Sequence, residues 1–369
     1  MSSQFHSLKI ANIHQETADS VSVFFEVPEA LQATFKFIQG QYLTLKFDID
    51  GKEERRAYSM CSSPLEKDLA VTVKRVKDGK VSNYIHDHLK VGDHVDIMPP
   101  EGRFYTPLDA DQRKDYYLFG AGSGITPLMS ILKTVLEEEP MSTVFLLYGN
   151  RDEDCIIFKA SLETLRQKYN NQLIVEYVLS QPKKTKDSSV FGFLKKSQIN
   201  WEGKKGRIGQ QHVKDFLSDN PKRSQQAEYF ICGPGDMIDT VEQTLAAQGI
   251  DNKQIHTERF TTSAPEKTAG AAATAAGTSA TVKVELDGST FDIEVESGKA
   301  ILDVLIDKKY DPPYSCTSGA CSTCMAKVVK GTVDMEVCYA LDDDEVAEGY
   351  ILTCQAKPTS SEVEITFNI

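Results

Sequence analysis

Tyr314-Ser-Cys-Thr-Ser-Gly-Ala-Cys-Ser-Thr-Cys324, answered by one distant cysteine at position 354, is the stretch on which the reading of this chain turns. Cys316, Cys321 and Cys324 stand as C-x4-C-x2-C, and with Cys354 they have the ligand spacing of a 2Fe-2S cluster. Three thiolates so close together need a loop that curls around metal, and Ser318, Gly319 and Ala320 supply small, backbone-permissive residues for it. Zinc also uses C-x2-C, but its sites pair two short clips, whereas here the partner is a single cysteine far downstream. The cluster is the expected occupant, with a zinc knuckle as the competing one.

Around this loop, residues 281–369 resemble a plant-type ferredoxin. Thr281-Val-Lys-Val-Glu-Leu alternates like a half-buried strand, Asp287-Gly288 reads as a hairpin turn, and Phe291-Asp-Ile-Glu-Val reads as the returning strand. Ala300, Ile301, Val304 and Leu305 then fall at helical spacing. The resemblance implies a β-grasp fold. Cys338 lies outside the ligand pattern and is expected to be an ordinary thiol.

At 369 residues, with 40% hydrophobic and 26% charged residues, the chain has ordinary globular composition and room for two or three domains. The N-terminus lacks the apolar core of a signal peptide, and no run of some 18 apolar residues suggests a membrane span. Cys61, Cys155, Cys232 and Cys338 are scattered without a disulfide-like framework, so the expected setting is the reducing cytoplasm. Charge is uneven: from Thr281 onward, 17 Asp and Glu face 7 Lys and no Arg, a net of −10 out of −13 for the whole chain. An acidic ferredoxin-like end can steer a basic protein partner or simply be a solvated face. No basic, aromatic-rich patch suggests nucleic acid. Residues 261–280, rich in Ala, Thr and Gly with no large apolar side chain, read as a flexible tether.

Upstream lies a nucleotide motif. Tyr116-Tyr-Leu-Phe reads as a buried strand, Gly120-Ala-Gly-Ser-Gly-Ile-Thr-Pro as a turn, and Leu128, Ile131, Leu132, Val135 and Leu136 as one face of a helix. Thr126 is placed to cap that helix and Pro127 to be its first residue. Such a strand, glycine turn and helix start offer backbone N–H groups to a pyrophosphate. Pro127 replaces the last glycine of the common dinucleotide fingerprint, and in this it is similar to the ferredoxin-NADP reductase family.

Other segments carry the same resemblance: Phe230-Ile-Cys-Gly-Pro-Gly-Asp-Met-Ile, His256-Thr-Glu-Arg-Phe, and Arg56-Ala-Tyr-Ser, the R-x-Y-S of the family's flavin domain. Phe37-Ile-Gln-Gly-Gln-Tyr-Leu, Val71-Thr-Val-Lys-Arg-Val, Gly79-Lys-Val-Ser-Asn-Tyr-Ile-His and Pro99-Pro-Glu-Gly-Arg-Phe give that motif its context. On a strand, Arg56 and Tyr58 share a face. The resemblance implies that Arg56 pairs with the FAD pyrophosphate, Tyr58 packs on the isoalloxazine and Ser59 sits near the atom that accepts hydride. It assigns Ala57, Val73, Arg75, Gly79, Val81 and Ser82 to FAD as well. To the pyridine nucleotide it assigns Gly120, Gly122, Gly124, Thr126, Pro127, Arg151, Cys232, Gly233 and Pro234. Catalytic roles are implied for Ser59, Cys232 and Glu258, with Phe260 stacked on the flavin and Cys316, Cys321, Cys324 and Cys354 on the metal.

The implied architecture is multidomain: an antiparallel β-barrel FAD domain (1–110), an α/β parallel-sheet nucleotide domain (111–260), the linker (261–280) and a β-grasp ferredoxin domain (281–369). That order is similar to the reductases of oxygenase systems, and Tyr148-Gly-Asn-Arg with Phe158 and Leu162 resembles those that serve phenylacetyl-CoA epoxidase. Electrons are expected to pass from NAD(P)H through FAD and the cluster to a separate acceptor protein, a multicomponent oxygenase. Reductases of hybrid-cluster protein, hydroxylases or desaturases share the architecture, and a stand-alone flavin or ferric reductase is the alternative of another class. For the nicotinamide, Arg151, Lys183, Lys184 and Arg207 point to NADPH, while Ser180-Gln181 departs from the family's frequent Ser-Arg and leaves NADH open.

Overall fold

The computed structural model describes residues 5–186, 197–199, 201–260 and 279–369. Strands β1 (His6–Thr17), β2 (Ser20–Glu26), β3 (Tyr42–Ile49), β4 (Lys52–Ser59), β5 (Leu69–Lys74) and β6 (His94–Ile97) form an antiparallel sheet in the order β4-β3-β6-β1-β2-β5. A bridge between Met60 and Val71 brings the sheet's two edges together and closes the barrel. Leu8, Ile10, Phe25, Leu43, Leu45, Val71 and Val73 fill it. Helix α1 (Lys80–His88) lies against the barrel through Val81 and Ile85.

Strands β7 (Lys114–Ala121), β8 (Thr143–Asn150) and β9 (Leu173–Leu179) begin a second sheet. Beside it, β10 (Lys184–Lys186) and β11 (Ser197–Ile199) form a small antiparallel ribbon. With β12 (Lys204–Lys205), β13 (Gln226–Gly233) and β14 (Ile255–Arg259), the large sheet is fully parallel in the order β12-β9-β8-β7-β13-β14. Helices α2 (Ile125–Glu138) and α3 (Lys159–Lys168) cover one face, and α4 (Gln210–Asp219) and α5 (Gly235–Ala247) the other. This explains why β7 reads as unbroken apolar sequence: Tyr116 and Leu118 face the first layer, Tyr117 and Phe119 the second. The strand order reverses between β7 and β13, and a ligand crevice is expected at their carboxyl ends.

The third unit comprises β15 (Ala280–Leu286), β16 (Ser289–Val295), α6 (Ile301–Asp307), β17 (Met325–Lys330), β18 (Val333–Met335), α7 (Asp343–Ala347), β19 (Tyr350–Leu352), β20 (Ala356–Pro358) and β21 (Glu362–Thr366). Its sheet runs β16-β15-β21-β17-β19, with α6 packed on it through Ile301, Val304 and Leu305, and β18 pairs with β20 alone. Asp287 and Gly288 both have positive φ, the two-residue turn that matches strand twist. Both sheets and the β-grasp unit agree with the fold expected from the sequence. The expected tether falls, through residue 278, outside the described residues. Among the described residues no helix is long and apolar enough to cross a membrane.

Candidate functional site

A cavity of about 590 Å³ opens where the barrel, the parallel sheet and the ferredoxin-like unit meet. The R-x-Y-S strand forms its floor: Arg56, Ala57, Tyr58 and Ser59 of β4 all line it. Arg56 donates to Glu54 at 3.0 Å, and Lys80 at the start of α1 reaches the same carboxylate at 3.0 Å. These two cations hold Glu54 below the ordinary carboxylate range, the Lys80 bond foremost. Lys74 and Arg75 add positive charge to the wall, and Arg75 is clamped by Asp87 at 2.7 Å. Gly79, Val81 and Ser82 line it too, and Ser82 Oγ accepts from the Val76 N–H at 3.1 Å, so this hydroxyl braces the loop before α1. Val73 is placed differently. Its side chain is in the barrel core, and its neighbours Thr72 and Lys74 line the cavity.

At the deep end, Ser59 Oγ donates to Glu258 Oε2 at 2.8 Å, joining the barrel to β14. Burial raises the Glu258 carboxyl to about 7, against which the Ser59 bond works in the lowering direction. Phe260 lines the same cavity just beyond. Cys232 sits one strand in: it is register partner to Glu258 on β14 and to Gly120 on β7, is fully buried, and has its thiol pushed up by desolvation and by Glu258. Its side chain is part of the core packed against α2.

The glycine turn lies at the switch point. Gly122, Ser123 and Gly124 make a short 3-10 turn that runs directly into α2, so the helix begins at Ile125 with Gly124 as its cap. The expected cap, Thr126, is the second helical residue and donates its hydroxyl to the Ser123 carbonyl at 3.0 Å. Pro127 is third, still within the turn whose N–H groups have no helical acceptor. At Gly124 a side chain is excluded: a Cβ there would lie 2.1 Å from the Cys232 carbonyl oxygen. This contact brings the turn against Cys232 and Gly233, while Ser123 and Thr126 reach the cavity. Arg151 lies apart, paired with Asp152 and donating to Cys155 Sγ at 3.0 Å. Lys183 pairs with Asp154, and Arg207 with Asp236 at 3.4 Å.

The cysteine loop closes the cavity from the third side, where Cys316, Ser318, Ala320 and Cys321 line it beside Tyr42. The four thiols associate in two couples, Cys316 with Cys321 and Cys324 with Cys354. Cys321 and the backbone N–H groups of Ser318 and Ala320 draw the Cys316 thiol down to about 5. Among the described residues no three His, Cys, Asp or Glu side chains converge on one ion. Four thiols gathered beside the cavity suit a 2Fe-2S cluster. Cys338 is half-buried among Leu302, Leu341 and Tyr350, as an ordinary thiol would be.

The docking of this unit brings in residues that no motif marks. Arg55, beside the R-x-Y-S arginine, is 5% exposed and donates to Asp311 at 2.8 Å while stacking on Tyr314 at 4.1 Å. Arg103 pairs with Glu345, and Arg259 lies over the Tyr339 ring. Tyr42 O–H meets Thr323 Oγ1 at 2.8 Å. The repeated glutamine and aromatic in Gln39-Gly-Gln-Tyr42 are the one visible hint, and nothing in their spacing says what they touch.

The groups present fit the implied cofactors: cations beside a helix start for a pyrophosphate, aromatic walls for a flat ring, a hydroxyl–carboxyl pair at the deep end, and paired thiols. Residues 7–105 match the oxidoreductase FAD-binding domain family, 118–243 the oxidoreductase NAD-binding domain family and 284–359 the 2Fe-2S iron-sulfur cluster binding domain family. The chain is 38% identical to a component of the 1,2-phenylacetyl-CoA epoxidase of Escherichia coli K12, over 99% of this chain and 98% of that one. It is 36% identical to the ferredoxin reductase component of 3-ketosteroid-9-alpha-monooxygenase of Rhodococcus rhodochrous, over 98% and 96%. Phthalate dioxygenase reductase shares the fold at TM-score 0.59 and 24% identity, covering 98% of both chains. With one architecture shared end to end, the chain belongs to the family of FAD- and 2Fe-2S-dependent reductase components of multicomponent oxygenases.

Proposed function

We propose that this reductase draws on NADPH, with NADH as a working substitute, and delivers single electrons to the oxygenase of a phenylacetyl-CoA epoxidase system in the cytoplasm. The observation that carries the reading is one cavity with three owners: the R-x-Y-S strand, the Ser123–Thr126 turn and the cysteine loop all line it. When bound, FAD supplies the conversion of a two-electron hydride into single electrons for the cluster. Around it the chain's residues have separate tasks. Arg56, Lys74 and Lys80 neutralise a pyrophosphate, exchanging Glu54 and Asp19 for phosphate oxygens. Tyr58 and Phe260 would offer aromatic walls to the ring system, and Ser59 with Glu258 would hold a proton at the hydride-accepting end. Cys232, fully buried behind the Gly124 turn, would support that turn from the core when the nicotinamide is bound. Cys316, Cys321, Cys324 and Cys354 would hold the cluster, which would supply a one-electron acceptor beside the cavity.

Nicotinamide choice follows from charge. Arg151, Lys183 and Arg207 each already face a carboxylate, so a 2′-phosphate gains little from them. The expected ratio of kcat/KM for NADPH over NADH is under about tenfold, a difference of about 1.4 kcal/mol. The acceptor is supported by the 38% identity across nearly the full length of both chains.

The test is an anaerobic titration of the purified holoprotein with reduced nicotinamide, followed by addition of the epoxidase oxygenase component. Flavin and cluster absorbance should both bleach, and the oxygenase should then be reduced. A flavin that bleaches beside an unchanging cluster overturns the internal relay, and reduced protein that ignores the oxygenase overturns the acceptor. Cys354→Ser should abolish oxygenase reduction while sparing nicotinamide-driven reduction of small flavin-level acceptors.

A further inference from the structure

Tyr42 occupies an unusual position between the two halves of this machine. It opens β3 as register partner of Ser59, so its backbone runs beside the residue at the hydride-accepting end of the cavity. Its ring, 5% exposed, lines the cavity beside the cysteine loop and carries its hydroxyl into the seam with the ferredoxin-like unit. The ring is held on several sides. Its N–H and carbonyl pair with Glu101 at 2.8 and 3.0 Å. Gly102, at φ +115°, presents no side chain because a Cβ there would lie 2.9 Å from Tyr42 Cδ1.

From this fixed ring the hydroxyl meets Thr323 Oγ1 at 2.8 Å, a buried bond between residues 281 apart in sequence. Thr323 Oγ1 is in turn 3.6 Å from Cys321 Sγ. Glu101 Oε2 also lies within reach of the Tyr42 hydroxyl, at 3.5 Å, against 2.8 Å for Thr323 Oγ1. A metal-bound thiolate can only accept, so where Thr323 gives its one proton to Cys321 Sγ, Tyr42 donates to Thr323 across the shorter contact. A donor that is itself polarised by a second donor makes the stronger bond. Hydrogen bonds to cluster sulfurs are among the levers that set cluster potential, since they stabilise the more negative, reduced state.

We propose that Tyr42 of the flavin unit is a positioning residue that acts through Thr323 on the cluster ligand Cys321, making the cluster easier to reduce while the ferredoxin-like unit is docked. The inference rests on the assignment of Cys321 as a ligand under the proposed function. It gives docking a second effect besides proximity: the cluster is the better electron acceptor when it sits against the flavin cavity and the better donor once the Tyr42 bond is broken.

The test is a mediated redox titration of the full-length holoprotein, read from the electron-spin signal of the reduced cluster. Mediators set the potential directly, so the measurement is independent of whether nicotinamide reduces the cluster internally. Tyr42→Phe should shift the midpoint negative, with the one-electron equilibrium changed by about tenfold, equivalent to 59 mV. Thr323→Val should shift it in the same direction, Thr323→Ser should restore the wild-type value, and Tyr42→Phe in the Thr323→Val background should add nothing further. A wild-type midpoint in Tyr42→Phe, or full additivity of the two changes, overturns the proposal. Should the Tyr42 variant not fold, Thr323→Val against Thr323→Ser decides alone, and equal midpoints overturn it.

Discussion

At Glu258, burial holds a carboxyl near pH 7 within reach of the Ser59 hydroxyl, and two measurable consequences follow. Between its ordinary value of 4.5 and about 7, the folded chain keeps a proton that the unfolded chain has released. Stability therefore falls as pH rises through that window. In the flavin-free protein, thermal unfolding between pH 5 and 8 should show a decline in Tm that Glu258→Gln lacks; parallel curves would place the titration elsewhere. In the holoprotein, nicotinamide-driven reduction of small acceptors should show an inflection near pH 7 that is missing from the same variant. The residues of this site were legible in unequal degree. Arg56, Tyr58 and Ser59 line the cavity as the R-x-Y-S resemblance implies, and Cys316, Cys321 and Cys324 stand out in the sequence because a curled loop fixes their local spacing. Val73 shows the limit: strand alternation turns its side chain into the barrel core, while the cavity is lined by the residues on either side of it.

Among elements, the glycine turn and the ferredoxin-like hairpin show one substitution with two different costs. Gly124 has an ordinary φ of −61°, but the space for its side chain is taken by the backbone of Cys232 on β13. Gly124→Ala must push α2 away from the sheet and should cost about 1–3 kcal/mol in urea unfolding. Gly288 has open space where a Cβ would stand, with nothing within 4 Å, but sits at φ +73°. Gly288→Ala should cost about 1–2 kcal/mol, through backbone conformation alone. A Gly124 variant as stable as wild type would mean that the turn and β13 are not in contact. The same turn explains why the start of α2 lies earlier than its sequence signals suggest. Thr126 and Pro127 carry strong start signals, yet a 3-10 turn upstream supplies helical geometry early and leaves Thr126 inside the helix. A composition of small residues does not reveal such a turn, since Gly-Ser-Gly is equally at home in a loop.

For the whole molecule, the acidic excess of the C-terminal unit acquires a use. Its Asp311 and Glu345 meet Arg55 and Arg103, and its Tyr314 and Tyr339 lie under Arg55 and Arg259. The two ion pairs differ in weight. The Arg103 side chain is 53% exposed, and a pair of that kind is worth about 0–1 kcal/mol, whereas Arg55 is nearly sealed by its partners. Arg55→Ala should therefore slow nicotinamide-driven bleaching of the cluster by about tenfold in stopped-flow mixing. Raising salt from about 0.01 to about 1 M, which shortens the screening length from roughly 30 to 3 Å, should slow it less. Equal effects would mean that long-range charge and not the Arg55 contact holds the unit in place. Beyond the hint at Gln39–Tyr42 this seam was not legible in the sequence, because contacts across 80 to 281 residues leave no period and no motif. The seam also imposes an order on biosynthesis. A chain emerges from its N-terminus, and the barrel can fold as soon as β6 is made. The wall formed by Cys316, Ser318, Ala320 and Cys321 does not yet exist at that moment. For most of translation the flavin cavity is a half-built room, roofed only when the last unit arrives with its metal.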